Sequence, residues 1–155
     1  MIQISLKDFL TTGKLGPVEL GMRRQHLLDR LGKPDTMSYP PPKSRTPGIW
    51  KYGDVEFHFV PGRPREGIAL IHLDHFKTPA GGKRIHLDPW VLRGALSQAK
   101  VIKALDDEEI PHNAPSRMPR LGTTLVKMTS GVELIFNDDG GKFMPPIGLY
   151  AISLH

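Results

Sequence analysis

The chain contains no cysteine, and this absence excludes several classes of protein. Without a thiol among its 155 residues, it can have no disulfide framework, no thiolate metal site and no cysteine nucleophile. It also lacks any run of the roughly 20 apolar residues that a membrane-spanning helix needs. The first residues carry no basic segment followed by an apolar one, as a secretory signal would. We therefore expect a cytoplasmic protein that makes no contact with a membrane.

A strong excess of one charge is absent as well, although the chain is basic. The formal net charge is +5, and the first 78 residues hold 12 basic and 8 acidic side chains. Clustered Lys and Arg bind phosphates by displacing counterions, but here the cations are scattered through loops rich in Pro and Gly. No helix-turn-helix, zinc-finger or RNP signature accompanies them. Nucleic-acid binding through basic loops is therefore an alternative hypothesis, and nucleic acid is not the partner that we expect.

What the sequence does contain is a pattern that occurs twice. Residues 49–59 hold two alternating apolar and polar segments around a short turn, and residues 125–136 hold two more. Shorter matches lie on both sides of these segments. A period of roughly 75 to 80 residues is the mark of an internal repeat. We predict two similar units, residues 1–78 and residues 79–155, within one compact structural domain.

Each unit is predicted to hold two helical segments followed by three antiparallel strands. The apolar spacing predicts main helices at 22–31 and 97–109. Short helical turns are predicted at 5–10 and after Asp88, which is a good N-terminal cap before proline. The predicted fold class is therefore α+β, with two similar helix-helix-β-β-β units whose helices cover one face of the antiparallel sheet or sheets.

The turns set the predicted register of the hairpins and the faces of their side chains. A two-residue turn places Lys51 opposite Glu56, and the second hairpin places Lys127 opposite Glu133. Side chains alternate between the two faces, so the aromatic residues of the first hairpin lie towards the core. In the third strands, the residues predicted to face the core are Ala69, Ile71, Leu73, Tyr150, Ile152 and Leu154. We call the opposite face the outer face; its predicted residues are Ile49, Lys51, Glu56, His58, Leu70, His72, Asp74, Leu125, Lys127, Glu133, Ile135, Leu149, Ala151 and Ser153.

The opening of the first unit carries a further pattern. Leu20-Gly21-Met22 precedes the first main helix, and Leu31-Gly32-Lys33-Pro34 ends it. This arrangement resembles the start of the small helix-helix-strand units of the β-lactamase-inhibitory-protein and outer-membrane assembly lipoprotein (SmpA/OmlA) type. The tandem arrangement over nearly the whole chain is similar to that of the inhibitory protein. The resemblance implies a protein that binds another protein through an exposed sheet face and its hairpin turns, as inhibitors and immunity proteins of toxin systems do.

The residues of the outer face independently favour a binding surface. A sheet face in contact with water normally carries polar side chains, yet Leu125 and Ile135 are predicted to lie opposite each other there. A protein partner, the connector between the two units at residues 77–83, or a second copy of the chain in a homodimer would cover them. We therefore expect a non-enzymatic protein-binding module of the inhibitor or immunity type, without a cofactor. It would act through the outer face and the hairpin turns at Gly53-Asp54 and Ser130-Gly131.

A set of histidines supports an alternative. His58 and His72 are predicted on the same face of neighbouring strands, with Asp74 beside them. Imidazole and carboxylate groups so arranged could bind zinc or perform acid-base catalysis, so a metal-binding protein or a hydrolase is the second hypothesis. The sequence has no Gly-x-Ser-x-Gly nucleophile motif, and we assign no catalytic residue.

Overall fold

Alternating apolar side chains fold this chain into a broad antiparallel sheet with helices on one face. The computed structural model describes residues 1–38, 48–60, 63, 65–74, 79–138 and 147–155. Among these residues, no helix is long and apolar enough to cross a membrane. The elements in chain order are β1 (Ile2–Ser5), α1 (Leu6–Thr12), α2 (Arg24–Leu31), β2 (Thr36–Ser38), β3 (Ile49–Tyr52), β4 (Val55–Phe59), β5 (Ile68–Asp74), β6 (Ile85–Asp88), α3 (Gln98–Asp107), β7 (Ser116–Met118), a 3-10 turn (Pro119–Leu121), β8 (Thr123–Lys127), β9 (Glu133–Asn137) and β10 (Gly148–Leu154).

Eight strands form one sheet in the order β2-β3-β4-β5-β10-β9-β8-β7. Each neighbouring pair in this sheet is antiparallel. β5 and β10 meet in the middle, so strands from the first and second halves of the chain form one continuous sheet. β1 and β6 form a separate two-stranded parallel sheet, in which Ile2 pairs with Ile85.

The predicted fold class is wrong, because the chain does not consist of two helix-helix-β-β-β units. Its described residues form two α-helices in the first half but only one in the second. Each half contributes four strands to the large sheet instead of three, and one strand to the parallel pair. The unpredicted strands β1, β2, β6 and β7 have only three or four residues each. A segment of that length is too short to show an alternation that identifies it.

Short polar residues and glycine set the ends of the helices. Ser5 and Ser97 accept hydrogen bonds from backbone N–H groups three residues ahead, at the starts of α1 and α3. Gly32 ends α2, as predicted from the sequence. The helical turn predicted after Asp88 does not form. The carboxylate of Asp88 instead accepts a hydrogen bond from the N–H of Trp90, which is held at a φ of 54°.

The helix side of the sheet forms one hydrophobic core. Phe57, Ile71, Leu134 and Ile152 are fully buried on the four central strands. All three helices, together with β1 and β6, contribute apolar side chains to the same core. The helices therefore all pack on this side, and the outer face presents only the side chains that alternate with the buried ones.

Two β-bulges displace side chains from the faces that simple alternation predicts. The register between β4 and β5 shifts, so Ala69, predicted to face the core, is exposed while Ile68 is buried. In β10 the register shifts between Leu149 and Ala151. Leu149, predicted on the outer face, is buried against the core, and Tyr150, predicted inward, is half-buried. A bulge inserts one unpaired residue and so reverses the alternation on one side of it. The other inward predictions for these strands are confirmed, at Ile71, Leu73, Ile152 and Leu154.

Candidate functional site

Six polar side chains lie in a line across the middle of the outer face, one from each of six adjacent strands. We call this set the polar row; in order across the sheet it is Lys51, Glu56, His72, Ser153, Glu133 and Lys127. The predicted pairing of Lys51 with Glu56 and of Lys127 with Glu133 is confirmed. Because the hairpins on the two sides are matched in register, the row has a lysine at each end and a glutamate next to it.

The carboxylate of Glu56 holds the first end of the polar row together. Its Oε1 lies 2.5 Å from Nζ of Lys51, and its Oε2 lies 2.8 Å from Nε2 of His58. Burial raises the pKa of Glu56, but the hydrogen bonds from Lys51 and His58 outweigh it and keep that pKa below its ordinary value. The hydrogen bond to Glu56 in turn raises the pKa of Lys51. Both partners are therefore held in their charged forms.

The second end of the polar row is looser. Nζ of Lys127 lies 3.1 Å from Oε1 of Glu133, and Nε2 of His155 lies 3.7 Å from the other carboxylate oxygen. His155 is not among the residues predicted for the outer face. Continuing the alternation of β10 by one step beyond Ser153 would have placed it there.

The middle of the polar row is a histidine and a serine from the two central strands. Nδ1 of His72 lies 2.7 Å from Oγ of Ser153. Burial lowers the pKa of His72, and the nearby carboxylates of Asp74 and Glu56 oppose this only in part. The ring of His72 also meets that of His58 edge to face, with 6.3 Å between centroids. The row thus holds an ion pair at each end and a hydrogen-bonded pair, His72 with Ser153, in its middle.

Two apolar pairs flank the polar row, one on each side. Ile49 and Leu70 lie beside His58 in one cross-strand line, and Leu125 and Ile135 pair directly in another. Because β3 and β8 run in opposite directions, the two pairs lie diagonally across the row from each other. We call these pairs the apolar corners. All four side chains are half-buried and lie outside the helix-side core.

The charges of the polar row are unequally exposed. The lysine side chains are 34% exposed at Lys51 and 49% at Lys127, whereas the carboxylates are 13% exposed at Glu56 and 17% at Glu133. Surrounding side chains therefore cover the negative groups, and the ammonium groups reach the solvent. An approaching molecule meets positive charge at both ends of the row.

The histidines of the outer face are the basis of the alternative hypothesis, a metal-binding protein or a hydrolase. Ser153 is only 3% exposed, so its hydroxyl is not accessible to a substrate carbonyl despite the contact with His72. Within the described residues, no group of three His, Asp or Glu side chains is arranged to hold a metal ion. The predicted trio of His58, His72 and Asp74 does lie on one face, where the two imidazole rings meet edge to face and the carboxylate of Asp74 acts to raise the pKa of His72.

The first hairpin turn is tied to segments on the helix side of the sheet. The N–H of Gly53 donates to the carboxylate of Asp35 at 3.0 Å, and the carboxylate of Asp54 accepts from the N–H of Ala80 at 2.8 Å. A Cβ on Gly53 would lie 2.3 Å from the carbonyl oxygen of Ala80. This turn is therefore anchored to the chain at Asp35 and at Ala80.

The second hairpin turn makes an equivalent internal contact. The hydroxyl of Ser130 donates to the carbonyl oxygen of Leu10, in α1, at 2.6 Å. Gly131 adopts a φ of 94°, which favours glycine. The role predicted for the two turns as contact points stays a prediction, and the contacts observed at both are internal to the chain.

The ten residues predicted to bind a partner all lie on the outer face. Nine are half-buried and Lys127 is exposed. Ser153 and Ala151, also predicted on the outer face, are buried at 3% and 1% exposure, and His155 joins the face beside Glu133. The chain was compared with family models, curated proteins and solved structures, and no match was found in any of the three.

Proposed function

We propose that this chain is a non-enzymatic protein-binding module that acts through the outer face of its large sheet. The observation that carries the proposal is the polar row with its two apolar corners. Its charges are paired within the chain, and its leucine and isoleucine side chains are left half-exposed. A surface of this kind combines apolar contact area with fixed polar groups, as protein interfaces do.

The exposed charges define the chemistry of the partner. The two lysine ends of the row are more exposed than their carboxylates, so a complementary surface carries acidic groups opposite them. The two lysines lie five strand spacings apart, which at about 4.8 Å per spacing is roughly 24 Å. We therefore expect a protein whose contact surface is apolar or uncharged in the centre and acidic at two positions about that far apart.

The same charges argue against a polyanion on this face. Each lysine of the row already has a carboxylate partner within 3.1 Å or less. Binding a phosphate backbone would require these pairs to separate and would leave two half-buried carboxylates near the phosphates. A protein surface with localised acidic groups can add to the existing pairs instead. An inhibitor or immunity-type role is a narrower form of the same proposal.

The proposal is tested by affinity capture with matched variants. The wild-type chain is immobilised and exposed to nuclease-treated lysate beside the double variant Leu125→Glu with Ile135→Glu, which charges one apolar corner. The control is Val91→Glu with Leu121→Glu, because these side chains are 43% and 63% exposed and lie outside the outer face. Circular dichroism checks that all three chains are folded.

Captured proteins are then purified and their affinities measured. We expect a partner that binds the wild type and the control equally but has at least about tenfold lower affinity for the apolar-corner variant. The double variant Lys51→Glu with Lys127→Glu should bind the same partner more weakly, because the loss of positive charge slows association. Equal binding by every folded variant, or capture of nothing but a second copy of the chain, would overturn the proposal.

A further inference from the structure

A concave surface lies beside α2, away from the residues of the outer face. It is an open groove of about 390 Å³ between the loop 19–22 and one side of the helix. Arg23, His26 and Arg30 line it; His26 and Arg30 lie on one face of α2, and Arg23 directly precedes the helix. Its volume lies near the lower end of the range found for small-molecule sites.

The groove has an excess of positive charge that is not neutralised within the described chain. Its single carboxylate, Glu19, is paired with Lys14 at 2.9 Å, and that contact lowers the pKa of Glu19. Arg30 is near enough to lower the pKa of Glu19 as well, but neither Arg23 nor Arg30 makes an ion pair with a described carboxylate. The neighbouring Asp29 accepts a hydrogen bond from Gln25. Two guanidinium groups therefore remain available to an anion.

The walls of the groove are fixed by the sheet. The N–H of Gly21 donates to the carbonyl of Ile68 at 2.8 Å, and the N–H of Ile68 donates to the carbonyl of Met22 at 3.0 Å. This close approach requires glycine at position 67, because a Cβ there would lie 1.9 Å from the carbonyl oxygen of Gly21. The loop therefore holds its place without a ligand.

The start of α2, which forms the other wall of the groove, is also fixed against the sheet. The guanidinium of Arg24, the first residue of α2, lies 4.1 Å from the centroid of the Phe59 ring. Its half-buried position fixes the start of the helix on the sheet, and Arg23 precedes it directly. A groove whose two walls are set in advance loses little conformational entropy on binding.

We propose that this groove binds the phosphate monoester group of a small molecule, with Arg23 and Arg30 pairing with its oxygens. A phosphate monoester carries about −1.5 to −2 charges near neutral pH, which two guanidinium groups balance. Arginine presents a planar fork of donors that matches the oxygens of phosphate. His26 adds an imidazole donor from the next turn of the helix. The site is separate from the outer face and does not depend on the proposed protein partner.

The test measures backbone amide shifts of the full ¹⁵N-labelled chain during titration with phenyl phosphate, and with benzoate at equal ionic strength. We expect saturable shifts at Gly21, Met22 and the first turn of α2 with phenyl phosphate, and weaker binding of benzoate. Arg23→Ala with Arg30→Ala should reduce the affinity by about tenfold or more. The control Arg93→Ala with Lys100→Ala removes the same charge from exposed positions elsewhere and should bind as the wild type does.

Three results would overturn the proposal. They are the absence of saturable shifts in the wild type, an equal loss of affinity in both double variants, and benzoate binding as tightly as phenyl phosphate. An equal loss of affinity in both double variants would show that net charge alone attracts the anion. Equally tight binding of benzoate would show that the groove does not select phosphate over carboxylate. If the double variant does not fold, the single variants Arg23→Gln and Arg30→Gln replace it, and each should still weaken binding.

Discussion

In the first half of the large sheet Glu56 is shared between Lys51 and His58, at 2.5 and 2.8 Å, whereas in the second half Glu133 holds Lys127 at 3.1 Å and has a histidine at 3.7 Å. The backbone register of the two hairpins is the same. The difference therefore arises from the side chains around each pair. A histidine on the adjacent position of β4 gives Glu56 a second close partner, and the equivalent position of β9 is Ile135.

The two halves are also complementary where they meet. His72 on β5 is large and Ser153 on β10 is small, and they share a hydrogen bond across the central strand pair. One register thus supports two environments: a tight, more covered charge cluster on one side and a looser, more apolar one on the other. Substitutions can test how far the two sides are independent.

The largest effect is expected in the core that both halves share. Phe57 and Leu134 occupy inward positions on β4 and β9 and are fully buried. Phe57→Ala should cost about 3 to 5 kcal/mol and Leu134→Ala about 2 to 5 kcal/mol of unfolding free energy, because each leaves a cavity. Since the core is continuous, each variant should shift one cooperative transition in chemical denaturation. Two separate transitions, only one of which moves, would show that the halves fold independently.

Removing the carboxylate of either charge pair should have an intermediate effect on stability, and the effect should differ between the two pairs. Glu56→Gln leaves both Lys51 and His58 without their carboxylate in a half-buried site, and we expect a loss of about 1 to 2 kcal/mol. Glu133→Gln removes a longer contact with a more exposed lysine, and we expect about 0.5 kcal/mol or less. Urea denaturation of the two variants in parallel measures both losses. Equal losses of unfolding free energy would mean that His58, the second partner of Glu56, adds nothing to the stability of the Lys51–Glu56 pair.

The smallest effect should be on the pH dependence of stability, through His72 in the first half of the sheet. Because burial keeps the pKa of His72 below its ordinary value of 6.5, the unfolded chain binds more protons than the folded one as the pH falls below 6.5. This contribution to stability is full above that value and is lost as the pH drops towards the folded-state pKa. His72→Gln should make the stability curve flatter between pH 7 and 5. The matched variant His86→Gln, at an exposed position of β6, should follow the wild type, and a wild-type slope that survives in His72→Gln would contradict the assignment.

The hairpins of the candidate site could be predicted from the sequence, because turn length and alternation are both local properties. The pairing of Lys51 with Glu56 follows once the turn at Gly53 and Asp54 is recognised. The helix caps at Ser5, Ser97 and Gly32 depend on short-range hydrogen bonds and were also predictable.

The remaining features depend on contacts that no local pattern contains. The parallel pairing of β1 with β6 joins segments far apart in the chain, so nothing in four residues identifies either strand. The bulges at Ala69 and Tyr150 reverse an alternation that the sequence continues regularly. The groove beside α2 was missed although the spacing of Arg23, His26 and Arg30 was available, because their lack of ion-pair partners among the described residues is a tertiary property.

The central position of β10 has a consequence for synthesis. Ile71 of β5 pairs with Leu154 of β10, so the middle of the sheet joins residues made early with residues made late. While the ribosome makes the intervening chain, β5 has an unpaired edge, and its backbone can pair with another nascent chain. Contacts of such sequence separation also slow folding. We therefore expect the yield of native protein to depend on the rate of translation and on chaperones more strongly than for a protein whose central strands are close together in sequence.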